Sequence, residues 1–141
     1  MTAFDEIACE IERRLNGSVE AEICCQATKY LLATPVERLE MLSYGTLYAA
    51  LGKSYKSDEF VRAIQLLAGA WLNLLDVFFK FHDRESGREY DVENEDVYHA
   101  QSHGKFFHPV TGIELNGYED DLLIYFCASE RLRKLKSGIY V

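Results

Sequence analysis

Apolar positions recur every three or four residues from the N-terminus to about Phe81, where the pattern breaks. Phe4, Ile7, Ala8, Ile11 and Leu15 fall on one face of a first helix that Thr2 can cap and Asn16-Gly17 can stop. Ser18 can cap a second helix that buries Val19, Ile23, Ala27, Tyr30 and Leu31 and ends before Pro35. Thr34-Pro35-Val36-Glu37 combines a capping hydroxyl, proline at the first helical position and a glutamate three residues after the cap. A third helix is therefore expected from there to about Leu51, ended by Gly52. A fourth is expected from near Ser57, with Asp58 and Glu59 in its first turn. Its polar residues Arg62, Gln65, Gly69, Asn73, Asp76 and Lys80 form one narrow stripe, the mark of a helix surrounded by neighbours. That pattern predicts a central helix with Trp71 in the core. Residues 77–81 read equally as its last turn or as an aromatic strand with Phe79 and Phe81 facing inward.

From Asp83 to Gly117 two glycine turns, a dense acidic run and three of the four histidines replace the helical pattern. The segment Phe81–Tyr90 aligns with Phe107–Leu115 if one turn residue is deleted, and each copy reads as strand, Ser-Gly or Thr-Gly turn, strand. One or two β-hairpins are expected, with Pro109 presetting the start of the second turn. Asn94 can cap a short helix from Glu95 to His103 that Gly104 ends. A last helix is expected from near Tyr118 to Gly138, burying Leu122, Tyr125, Phe126, Leu132 and Leu135, with Ile139 folding back on Leu135.

These elements predict a mainly α fold: about five helices packed around a central apolar helix, with one or two small β-hairpins inserted before the last helix. At 141 residues and 48% hydrophobic content the chain reads as a single globular domain over 1–141, with a helical body at 1–82 and 118–138 and an insertion at 83–117. The longest apolar run, Leu66–Phe79, is interrupted by Asn73 and Asp76 and is too short to span a bilayer. Asp5, Glu6 and Glu10 stand where a signal peptide would be basic or apolar, so a cytoplasmic protein is expected. Cys9, Cys24, Cys25 and Cys127 have no framework spacing and read as reduced core thiols.

The net charge of −8 argues against direct nucleic-acid binding, which depends on basic residues neutralising phosphate. Arg131, Arg133, Lys134 and Lys136 follow Glu119, Asp120 and Asp121, an order that complements a helix dipole. Between Asp83 and Asp96 seven acids face Arg84 and Arg88, a net −5, with tyrosines interleaved. Glu89, Tyr90, Asp91, Glu93, Glu95, Asp96 and Tyr98 are the candidate binding residues: charge steers a basic partner and aromatic rings anchor it. No nucleotide loop, nucleophile elbow, CxxC pair or HExxH stretch occurs, so the reading favours no enzymatic activity and no cofactor. It favours a small binding protein, a stoichiometric inhibitor of the immunity or anti-defence type, acting on a basic protein partner. The alternative is a metal-dependent enzyme or metal-sensing domain in which His99, His103 and His108 hold a transition metal, with Asp96 or His82 as further ligands.

Overall fold

A computed structural model describes residues 2–51 and 54–138. In chain order the described elements are α1 (Ala3–Leu15), α2 (Val19–Ala33), a 3-10 turn (Val36–Arg38), α3 (Tyr44–Ala50), α4 (Ser57–Leu67), β1 (Leu75–His82), β2 (Glu89–Val92), α5 (Asn94–His103), β3 (Phe106–Phe107), β4 (Glu114–Leu115), a second 3-10 turn (Tyr118–Asp120), β5 (Leu122–Ala128) and α6 (Glu130–Lys136). A three-stranded antiparallel sheet has the order β2-β1-β5, and β3 and β4 form a separate antiparallel pair. The architecture is thus mixed α and β, not an all-α helical bundle around a central helix.

The boundaries of α1 and the start of α2 follow their local capping signals. Thr2 and Asp5 make a reciprocal capping box at the start of α1, and Asn16 ends it in the left-handed conformation. The Ser18 hydroxyl accepts the Ala21 amide at 3.1 Å and starts α2. Buried Ala21, Ile23, Cys24, Ala27, Thr28 and Leu31 are spread around α2 because it packs against α1, α4 and α6. Thr34 does not start the next helix. Its hydroxyl donates back to the Tyr30 carbonyl at 2.6 Å, and only a single 3-10 turn follows Pro35. The helix that does form there, α3, begins at a Ser43/Thr46 capping box.

The expected central helix is two elements. In α4, Phe60, Ala63, Ile64 and Leu67 make an ordinary one-sided apolar face, and the helix stops at Ala68. Leu74 then donates back to the Leu67 carbonyl at 2.9 Å, Asn73 adopts φ 43°, and the chain leaves as β1. Val77, Phe78, Phe79 and Phe81 are β-branched or aromatic, and β1 lies between two other strands, so its apolar run suits a central strand. Trp71 is accordingly not a core residue: it sits half-buried in the connecting turn with the Arg14 guanidinium 4.8 Å from its ring centre. The expected last helix divides in the same way. The seven-residue run Leu122–Ala128 is a strand, and Ser129 caps a new, short helix by accepting the Leu132 amide at 3.1 Å. Gly52 as a helix terminator and the return of Ile139 onto Leu135 lie outside the described residues.

Residues up to Asp76 together with those from Phe126 onward form one compact unit, and Val77–Tyr125 form a second. In the first, Leu42 and Phe126 exchange two backbone hydrogen bonds of 2.7 Å, and the Phe126 ring meets Tyr44 edge-on at 5.1 Å. The C-terminal basic residues have specific tasks there. Lys136 Nζ donates to the Leu31 and Leu32 carbonyls at 2.8 and 3.0 Å and also to Thr34 O, satisfying carbonyls that the end of α2 leaves open.

All four cysteines are free. Burial pushes the Cys24 thiol up to about 12, so it carries almost no thiolate at neutral pH. In the native protein, an alkylating reagent followed by mass spectrometry is expected to label exposed Cys9 first and Cys24 only on unfolding. Four adducts are expected after denaturation without reductant.

Candidate functional site

The second unit is organised by two hairpins. In the first, β1 and β2 pair with Phe81 opposite Tyr90 and His82 opposite Glu89. In the second, β3 and β4 pair with Phe106 opposite Leu115 and Phe107 opposite Glu114. The internal repeat is therefore real but ungapped: residues 81–90 correspond to 106–115 at a constant offset of 25, so Asp83 matches His108 rather than a proline. The gapped alignment fails because it matches aromatic letters, whereas pairing register and the glycines set the correspondence. Gly87 and Gly112 both take φ 73°, a conformation costly for other residues.

Asp83 and His108 stand side by side, Oδ2 to Nε2 at 3.4 Å. His108 Nδ1 accepts the Val110 and Thr111 amides at 3.0 and 3.2 Å, which assigns the proton of the neutral ring to Nε2, facing the carboxylate. Neither ring nitrogen is left to act as a base. Asp83 accepts the Ser86 hydroxyl at 2.9 Å and the Glu85 amide at 3.1 Å. The Ser86 hydroxyl above all, then that amide and His108, holds the Asp83 carboxyl below its ordinary value. Its folded pKa being depressed, Asp83 contributes stability above the unfolded value that is lost as pH falls through the folded one. Asp83→Asn is expected to flatten the acid side of the stability profile as the pH falls below the ordinary aspartate range, measured by denaturant unfolding at a series of acidic pH values.

Beside this contact lies a cleft of about 440 Å³ floored by Phe81, Leu115 and Tyr118 and edged by Glu85, Asp120 and Asp121. Arg84 Nε donates to Asp121 Oδ1 at 2.8 Å across it. Eleven acids against four basic residues lie within Val77–Tyr125, a net −7 of the chain's −8.

The sequence-predicted binding residues occupy one edge strand and the helix after it. Glu89 and Asp91 are exposed on β2 while Tyr90 and Val92 turn inward. Asp91 pairs with Lys80 at 3.3 Å. Glu93 precedes α5, Glu95 and Asp96 lie exposed in its first turn, and exposed Tyr98 meets Phe79 edge-on at 6.3 Å. Asn94 does not cap α5; its amide reaches the Val77 carbonyl at 3.1 Å.

Of the candidate metal ligands, the structure brings His99 and His103 together as stacked rings 4.2 Å apart, with His103 Nδ1 3.2 Å from the His99 carbonyl. His108 belongs instead to the Asp83 contact. Among the described residues no group of three or more His, Cys, Asp or Glu is arranged to hold a metal ion.

The sequence reading missed the most exposed apolar side chains of this unit. Val110 is 65% and Ile113 64% exposed on the β3–β4 turn, with Phe107 beside them at 49%. The available signal was an apolar residue at a turn position where a polar one is usual, here Val110 in His108-Pro109-Val110-Thr111-Gly112. No described helix is long and apolar enough to cross a membrane. Compared with known proteins, the chain matches no family model, no curated protein and no solved structure.

Proposed function

We propose that this chain is a stoichiometric binding protein whose 77–125 unit engages a basic protein partner in the cytoplasm, acting as a small inhibitor of the immunity or anti-defence type. The observation that carries this reading is the segregation of charge: seven of the eight net negative charges lie in 49 residues, while the rest of the chain is close to neutral. A unit so charged repels phosphate backbones and attracts a basic protein surface. Exposed Phe107, Val110 and Ile113 supply apolar anchors beside that charge, the combination from which tight, steered interfaces are made.

The test uses the intact chain as bait in a lysate of its source organism, beside a variant with Asp91, Glu93, Glu95 and Asp96 reversed to lysine. The expected result is one basic protein, retained by the wild type at one-to-one stoichiometry and released by salt. Retention of the same protein by the reversed chain, unaffected by salt, would overturn the reading.

A further inference from the structure

We infer that the two hairpin turns are the halves of a four-ligand metal frame, in which the Asp83–His108 contact and two hydroxyls occupy the positions where ligands to an ion would stand. The inference concerns Asp83, Ser86, His108 and Thr111, the first and fourth residues of the two corresponding turns, and it does not depend on the proposed partner.

The turns agree bond for bond. The Asp83 amide donates to Arg88 O and the Gly87 amide to Asp83 O, both at 2.8 Å. In the second turn His108 donates to Ile113 O at 2.8 Å and Gly112 to His108 O at 2.9 Å. The side chain of each first residue accepts the amide two residues on, from Glu85 at 3.1 Å and from Val110 at 3.0 Å. The side chain of each fourth residue does the same, Ser86 Oγ from Arg88 at 3.2 Å and Thr111 Oγ1 from Ile113 at 3.3 Å.

Two donors separated by two residues, on each of two turns that meet at Asp83 and His108, is the spacing by which structural zinc sites are built. Backbone amides directed at each donor position are what an anionic ligand requires, since they orient it and stabilise its charge. The distance fits as well. Two atoms bound to one tetrahedral zinc at about 2.0–2.1 Å stand about 3.3 Å apart, and Asp83 Oδ2 and His108 Nε2 are separated by 3.4 Å. The native donor set is nevertheless poor for zinc: two hydroxyls are neutral, and His108 Nδ1 is taken by amides, leaving one imidazole nitrogen and one carboxylate. The frame can hold its shape without an ion because the Asp83–His108 contact joins the turns directly, over a buried cluster that includes Phe81, Phe106 and Tyr118.

Installing thiolates at the four positions tests the frame. The variant Asp83→Cys/Ser86→Cys/His108→Cys/Thr111→Cys is titrated with cobalt(II), with the unmodified chain and its four native cysteines as reference. One equivalent bound with thiolate charge-transfer and tetrahedral ligand-field bands is the expected result, with displacement of cobalt by zinc. Ser86→Cys/Thr111→Cys alone keeps the Asp83–His108 contact and is expected to fold and to give a tetrahedral two-thiolate spectrum. It decides the matter if the fourfold variant does not fold even with zinc. A folded double variant that binds no cobalt, or binds it octahedrally, overturns the inference. So does a fall in the melting temperature of the unmodified chain in chelator, which would show that the native contact does not stand in for an ion.

Discussion

Reversing Asp91, Glu93, Glu95 and Asp96 to lysine is expected to slow association with a basic partner by about ten- to a thousandfold at low salt, the range over which complementary fields raise encounter rates. The four changes take the chain's formal charge from −8 to zero, so the long-range attraction is abolished and not merely weakened. Stability should hardly change, because exposed charges contribute about 0–1 kcal/mol each. Among the described residues the ion pair affected, Lys80–Asp91, has its carboxylate 85% exposed. Raising the salt concentration should reduce the wild-type rate toward that of the variant, since exposed fields are screened beyond about 10 Å at 0.1 M. Surface plasmon resonance at several salt concentrations, with size-exclusion chromatography to confirm that both proteins remain monodisperse, reads both effects. An unchanged, salt-independent rate would place the binding surface elsewhere.

Phe106→Ala is expected to destabilise the second unit by about 3–5 kcal/mol, the usual cost of emptying a buried aromatic site. Phe106 is 2% exposed, stacks on Tyr118 at 5.1 Å and meets Phe81 at 5.5 Å in a small cluster that has six buried members among the described residues, so its ring leaves a cavity that a core of this size closes poorly. Phe107→Ala, one position along the same two-residue strand and pointing the other way, should change stability by no more than about 0.5 kcal/mol. Urea unfolding of the two variants, with hydrogen exchange to locate the loss within Val77–Tyr125, checks the pair. Equal losses would mean that the register of β3 on β4 is wrong.

That contrast also shows why the hairpins were legible. A glycine at positive φ, a Ser or Thr before it and alternating apolar residues are local signals that mark both turns; caps likewise mark the starts of α1 and α2, whereas α5 was legible only from its terminator Gly104, the expected cap Asn94 being turned to the Val77 carbonyl. The acidic segment was equally legible, because charge is a property of composition, and its residues are exposed on β2 and the first turn of α5. The contact between Asp83 and His108 was not, since it joins positions 25 residues apart through two turns that must both be built first.

A few neighbouring residues are enough to enforce two capped helices, the glycine end of α5, two glycine turns and an acidic stretch with tyrosines interleaved. The state of the long apolar runs was set by pairing across the sheet. Leu66–Phe79 and Leu122–Ala128 have enough apolar surface for a buried helix and enough β-branched or aromatic residues for a buried strand, so local propensity leaves the two nearly balanced. The balance is broken by hydrogen-bonding partners distant in sequence: β1 finds β2 on one side and β5 on the other, and once its amides and carbonyls are paired across the sheet they are no longer available to a helix.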